Sequence, residues 1–214
     1  MTVPREIPDG KAALRRHYRA VRRSSLSGIT SALKQAALRD LPPLLDTPGR
    51  LGLYWPLQGE PDLDPFAAGG LAEQLGDRLA LPAVVPLESG SAPSLVYLPW
   101  RRGMALLPDA CGIPAPAVQE PQPPQSLALL LVPALAIDSH GIRLGSGGGW
   151  YDRLRSDPAW RAVPALAVLP AACLTPALPR DPWDVPFDGW LDETGLHWIE
   201  ARARLPGQRR PGNS

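Results

Sequence analysis

Apolar positions recur along the chain in two periods. Leu14, Tyr18 and Val21 have helical spacing, which predicts a helix over residues 11–23 capped by Asp9. A second helix fits residues 27–41 and stops at Pro42-Pro43. A third spans 66–79 despite Gly69-Gly70, and a short one lies near 151–155. Strands are predicted over 50–56, 79–85, 94–100 and 165–169, the middle two joined by a Gly/Ser/Pro turn. Segments 189–193 and 196–200 pair across Thr194-Gly195. The strongest strand is the run LALLLV at 127–132; unbroken apolar character marks a strand covered on both faces. The Pro-rich stretch 108–126 reads as a surface connection. Strands alternating with helices predict a single α/β domain, with a mixed, mostly parallel sheet and helices on both faces. The domain covers residues 1–201, the first nine a loose leader, and residues 202–214 form a disordered Arg-rich tail.

Composition removes several function classes. The 214 residues carry a net charge of +1, too little to favour nucleic acid or an anionic membrane. Two cysteines and three scattered histidines argue against a disulfide framework and a zinc site. The start is polar and Arg-rich, unlike a signal peptide, and no apolar run can span a bilayer. The expectation is a cytoplasmic monomer acting on small molecules. Of 22 basic residues only Lys11 and Lys34 are lysines.

Candidate chemistry concentrates in residues 138–153, DSHGIRLGSGGGWYDR, where five of nine residues from Gly141 to Gly149 are glycine. Ordering so much glycine is costly in entropy. Bare backbone that aims several N–H groups at a phosphate is a reason to keep it, and a following helix start would favour the anion further. Arg143 and Arg153 offer forked donors to phosphate oxygens. Asp152 offers a hard oxygen to Mg²⁺, and Trp150 and Tyr151 offer flat faces. No GK[ST] ends the loop, so it is not a Walker A loop, and Trp150 breaks a dinucleotide-binding fingerprint starting at Gly145. A flexible linker would not be so dense in Arg, Asp and aromatics.

The string GIRLGSGGGWYDR (141–153) is very similar to the G-x-R-L-G-x-G-x-G-Y-Y-D-R signature of 5-formyltetrahydrofolate cyclo-ligases. Lys11, Leu14 and Arg15 resemble that family's K-x-x-L-R start, and residues 54–62 (YWPLQGEPD) its Y-x-P-x-x-x-E-P-D segment. Residues 112–116 resemble a G-I-x-E-P turn and 182–188 (PWDVPFD) a late P-H-D-V-P-x-D segment. The resemblance implies that ATP phosphorylates the formyl oxygen of 5-formyltetrahydrofolate, that N10 closes the ring, and that 5,10-methenyltetrahydrofolate, ADP and phosphate leave. It implies Lys11 and Arg143 as catalytic cations. ATP contacts would come from Lys11, Arg15, Arg143, Leu144, Gly145, Ser146, Gly147, Gly148, Gly149, Trp150 and Tyr151. Trp55, Glu60, Ser146, Gly147, Gly148, Gly149 and Trp150 would contact the folate, and Asp152 and Asp188 would hold Mg²⁺. Departures from the pattern are Trp150 for Tyr, Ser146 where Arg is frequent, Ala115 for Glu and Trp183 for His. They leave open a relative that activates another formyl or amide substrate, or a non-catalytic nucleotide-binding module.

Without the resemblance, Lys11 and Arg15 read as a solvated helix face, together with Arg16, Arg19, Arg22 and Arg23. Glu60 and Asp188 read as turn residues, Trp55 and Trp100 as core, and His140 as loop surface.

Overall fold

A computed structural model describes residues 10–46, 48–86, 93–117 and 120–199; Asp9 and the tail lie outside them. The chain opens with α1 (Lys11–Asp40), one continuous helix of 30 residues where two were expected. The apparent break at Ser24-Ser25 carries no proline. Its hydroxyls bond back to Val21 O at 2.9 Å, so the helix runs on through Gly28, whose interior cost is only ~1 kcal/mol. Pro42 ends it as expected, in a 3-10 turn over Pro42–Leu45.

Then follow β1 (Arg50–Gly52), α2 (Leu71–Leu75), β2 (Leu79–Val85) and β3 (Ser94–Trp100). β1 is shorter than predicted, because the chain leaves the sheet after Leu53. α2 is five residues, not fourteen, because Gly69 takes a positive φ of 71° and ends the preceding turn. The Pro-rich connection is more ordered than expected: β4 (Leu106–Pro108) and β5 (Pro114–Pro116) form a hairpin with Ala115 buried. β6 (Leu127–Pro133), β7 (Ala136–Asp138) and β8 (Arg143–Leu144) lead into α3 (Trp150–Ser156) and α4 (Pro158–Arg161). β9 (Ala165–Val168), β10 (Leu174–Thr175), β11 (Gly189–Asp192) and β12 (Gly195–Trp198) complete the chain.

The main sheet has seven strands in the order β12-β11-β9-β6-β1-β2-β3. Its interior pairs are parallel, and only β3 and β12 at the edges run antiparallel. Prolines sit where a missing N–H costs little: Pro99 on the edge strand β3, Pro82 beyond the last residue of β2 that pairs with β1. Alternate residues of β6 and β9 supply opposite faces. Leu130, Val132, Ala165 and Ala167 pack with Leu154 and Leu14. Leu129, Leu131, Leu166 and Val168 pack with Leu33, Ala36 and Leu71. Helices therefore cover both faces, and α1 contributes to each. The buried side chains of Leu130 and Tyr97 close over Gly52: an added Cβ would lie 2.6 Å from Leu130 Cδ2 and 2.8 Å from Tyr97 Cε1.

Connections from β1 go to β2 on one side and to β6, β9 and β11 on the other. The order reverses between β1 and β6, and a crevice opens there at the carboxyl ends of the strands, where open α/β sheets bind ligands.

Candidate active site

Each wall of that crevice comes from a chain segment leaving the sheet. After β1 come Tyr54 and Trp55; the Tyr54 hydroxyl donates to Pro61 O at 2.5 Å and closes the turn that carries Glu60. Pro82 and Val84 come from β2, and Pro133 ends β6. The glycine loop from Leu144 to Gly149 forms the floor, Lys11 and Arg15 enter from α1, and Asp181, Trp183 and Asp184 close the far side around ≈ 400 Å³.

Loop shape follows from a buried carboxylate and a left-handed turn. Asp138 Oδ1 accepts from the N–H groups of His140 and Ile142 at 2.9 Å each, and Oδ2 accepts from Leu178 N at 2.9 Å. This bends β7 back into β8. Gly149, with φ 67°, turns the chain into α3. α3 has seven residues, so the anion affinity expected of a helix start falls instead to the loop N–H groups and the nearby cations.

Arg143 is held inside the loop. Nη1 donates to Pro133 O at 3.2 Å, and Nη2 lies 3.5 Å from Asp152 Oδ1. The guanidinium also faces the rings of Tyr151 and Phe187, at 5.6 and 5.3 Å from their centroids. Its side chain is 6% exposed, so it keeps a dry, fixed charge beside the cleft. Burial raises the Tyr151 hydroxyl well above its ordinary value, against the lowering influence of Arg143. The hydroxyl therefore stays protonated.

Arg15 Nε donates to Gly145 O at 3.1 Å and Arg19 Nη2 to Ser146 O at 2.9 Å, pinning the loop to α1. Lys11 Nζ lies 2.6 Å from Asp181 Oδ2 and 2.7 Å from Asp184 Oδ2. Partial burial pulls the Lys11 ammonium down, but the hydrogen bonds and charges of the two aspartates outweigh it, and the group sits above its ordinary value. Glu60 Oε2 accepts from Leu57 N at 3.1 Å. Asp109 also lines the cleft, but its carboxylate is taken by the N–H groups of Val84, Cys111 and Ile113 at 2.8–2.9 Å.

Most of the residues singled out from sequence meet here: Lys11, Arg15, Trp55, Glu60, Arg143 to Tyr151, and Asp152. Leu144 is 2% exposed, so only its backbone is available. Asp188 is not among the lining residues; its Oδ2 accepts from Ala165 N at 2.8 Å and lies 3.9 Å from Arg155. Arg153 also stands outside the lining, 4.4 Å over the Trp150 ring. Of the arginines expected on a solvated face, Arg19 is exposed as expected while reaching Ser146 O, but Arg22 is 6% exposed and donates to Ala134 O at 3.1 Å. Sequence reasoning assigned no role to Asp181 or Asp184. The available signal was the place of Asp184 inside the 182–188 motif, with Asp181 just before it, and the scarcity of lysine.

Among the described residues no group of three or more His, Cys, Asp or Glu is placed to cage a metal. Asp152, 30% exposed and held only by the long contact to Arg143, is a carboxylate that can turn to a cation. One carboxylate fits Mg²⁺, which is usually bound through one or two carboxylates plus substrate phosphates.

A crevice at a switch point, floored by glycine and ringed by cations and flat aromatic faces, marks an open α/β protein with its candidate site at the carboxyl ends of the strands. A model of the 5-formyltetrahydrofolate cyclo-ligase family matches residues 8–192, and the chain belongs to that family. It is 30% identical over 142 residues to the 5-formyltetrahydrofolate cyclo-ligase of Escherichia coli, covering 64% of this chain and 74% of that one. It is 36% identical over 132 residues to the cyclo-ligase of Mycolicibacterium smegmatis, covering 48% and 68%. In structure it is similar to the 5,10-methenyltetrahydrofolate synthetase of Aquifex aeolicus, with a TM-score of 0.65 and 25% identity over 94% of this chain and 99% of that one.

Proposed function

We propose that the protein cyclises 5-formyltetrahydrofolate to 5,10-methenyltetrahydrofolate at the expense of ATP. The observation that carries this reading is the single cleft that joins the glycine loop and its cations to Trp55 and Glu60. A bond forms between the formyl oxygen and the γ-phosphorus as the bridge to ADP breaks. N10 then attacks the activated carbon and loses its proton, and the carbon–oxygen bond breaks as phosphate leaves.

Such a reaction asks the protein for position and charge neutralisation, not covalent help. The loop N–H groups of residues 145–149 and the Lys11, Arg15 and Arg143 cations hold the triphosphate. Arg143 contributes most at the transition state, because a fixed charge at a dry site needs no reorganisation. Glu60 accepts from the ring N–H groups of the folate, and Trp55 and Trp150 supply apolar faces. Mg²⁺ carried by the nucleotide would neutralise phosphate charge, with Asp152 as its protein ligand; Asp188 instead braces β9 against the chain entering β11. In this reading the enzyme works as a cytoplasmic monomer on two small molecules, without nucleic acid or membrane. Among the described residues no helix is long and apolar enough to cross a membrane.

The test is to mix protein, 5-formyltetrahydrofolate and Mg-ATP and follow the near-ultraviolet band of the methenyl product. ATP-dependent growth of that band is the expected result. A flat trace from folded protein would refute the reading. It would favour a second one, in which Trp183, 66% exposed at the cleft wall, selects a different formyl or amide substrate; ADP release across a substrate panel would identify it.

A further inference from the structure

We propose that Tyr54 is a positioning residue for the folate: its buried hydroxyl holds the turn that aims Glu60 into the cleft. The inference rests on the folate reading above and adds a residue to it.

Glu60 ends a tight turn. Its N–H donates to Leu57 O at 2.9 Å, and Gly59 takes φ 77° at the third position, which glycine supplies without strain. The tip of the turn has little to rest on. Leu57 is 47% exposed, Gln58 is exposed, and nothing lies within 4 Å of a Cβ added at Gly59. Glu60 Oε2 accepts from Leu57 N at 3.1 Å, a bond inside the turn that does not fix it against the sheet. Proline follows, and it has no N–H with which to tie the chain down. Its carbonyl takes that part, since the Tyr54 hydroxyl donates to Pro61 O at 2.5 Å in a buried position. Two residues on, Leu63 sinks into the core.

Tyr54 can serve because the sheet sets its own place. β1 ends at Gly52, and Leu53 N donates to Ala80 O of β2 at 2.8 Å. Tyr54 follows directly, 7% exposed, in the same core cluster as Leu53 and Leu63. A rigid sheet and an exposed turn are thus joined by one buried O–H···O bond. The ring serves the core, and the hydroxyl serves the turn. Burial, and then the carboxylates of Glu60 and Asp62, hold the phenol well above its ordinary value, so the donor keeps its proton through the neutral range.

A hydroxyl that only stabilised the fold would not discriminate between the two substrates. The test measures kcat and KM for each substrate by the methenyl band, and 5-formyltetrahydrofolate affinity by calorimetry, in wild type, Y54F, E60A and Y54F/E60A. Y54F keeps the ring and leaves Pro61 O without its donor. It is expected to weaken the folate about tenfold, as an unpaired buried acceptor does. KM for Mg-ATP and kcat at saturation should stay within about threefold. In the E60A background Y54F should add less than about twofold, because it acts through Glu60. Unchanged folate affinity in Y54F, equal losses for both substrates, or an additive cycle would overturn the proposal. Should Y54F not fold, G59A strains the same turn from its exposed flank and must weaken the folate alone; any other result there would count against the turn. Wild-type protein that fails to bind 5-formyltetrahydrofolate would overturn the folate reading itself. Wild-type binding with an unaltered Y54F would overturn only the role given to Tyr54.

Discussion

Replacing Asp152 by Asn separates catalysis from stability. The variant keeps the shape and removes one charge. What it removes in the free protein is the 3.5 Å contact between Asp152 and Arg143. Coulomb's law puts such a pair at ~1 kcal/mol in water and ~5 kcal/mol at an effective permittivity of 20. Asp152 is 30% exposed and the contact is long for a hydrogen bond, so the watery end applies and the fold should lose no more than ~1 kcal/mol. Arg143 also keeps Pro133 O and the faces of Tyr151 and Phe187. Turnover is a different matter. Losing the protein ligand of a Mg²⁺ that neutralises transition-state charge is expected to cost ~10²–10³ in kcat. The assay is the near-ultraviolet methenyl band at saturating substrates, beside a urea denaturation curve. Turnover within about threefold of wild type, or unfolding at much lower urea, would refute the role assigned to Asp152.

Other variants probe the frame around the site. Arg155 is 2% exposed and donates to Val163 O at 3.0 Å and Pro186 O at 3.3 Å beside Asp188. R155M should cost about 3 kcal/mol in urea denaturation, the low end for a broken buried pair because Asp188 keeps Ala165 N; a loss below ~1 kcal/mol would show the arginine to be dispensable. At Gly149 a side chain is strained by ~1–2 kcal/mol at φ 67°, and its Cβ would stand 3.0 Å from Arg153 Nη1. G149A should therefore lower the melting temperature by a few degrees and weaken Mg-ATP, and unchanged ATP affinity would argue against the loop as the phosphate floor. Asp40 is held below the ordinary carboxylate value of 3.8, first by the Arg39 hydrogen bond and, against some desolvation, by Leu196 N. A depressed carboxylate contributes stability above its unfolded value and loses it as pH falls through the folded one. Protection of the Leu196 amide, which donates to Asp40 Oδ2 at 3.0 Å, should thus persist to pH ~4 and fall below it. D40A, which removes the acceptor, should lack the protection at every pH.

Legibility in the sequence tracked the range of the interaction. The unbroken run at 127–132 became the buried β6, and 79–85 and 94–100 became β2 and β3 with the predicted bounds. The errors came where a local signal competed with a distant contact. Ser24, Ser25 and Leu26 read as a gap between two helices, yet α1 runs through them, because Leu14 packs into one core cluster and Leu33 into the other. The 108–126 stretch read as surface, but Ala115 is pulled into a hairpin against β2 and β3. Arg22 was indistinguishable from its neighbours until Ala134 O came within 3.1 Å of it.

The amino-acid sequence on its own settled the alternation of strands and helices, the glycine loop with Arg143 and Asp152, and the family. These depend on residue types at fixed short spacings, which backbone preference and periodicity reveal without knowledge of the fold. The availability of each charged group for chemistry was beyond its reach. Asp152 and Asp188 are both acidic residues in motif positions, yet one lines the cleft and the other braces β9. Lys11 looked like a free helix cation and is clamped by two aspartates from near the other end of the chain. Those outcomes follow from the strand order, which brings segments far apart in sequence to the β1–β6 crevice, and no short-range pattern encodes that order.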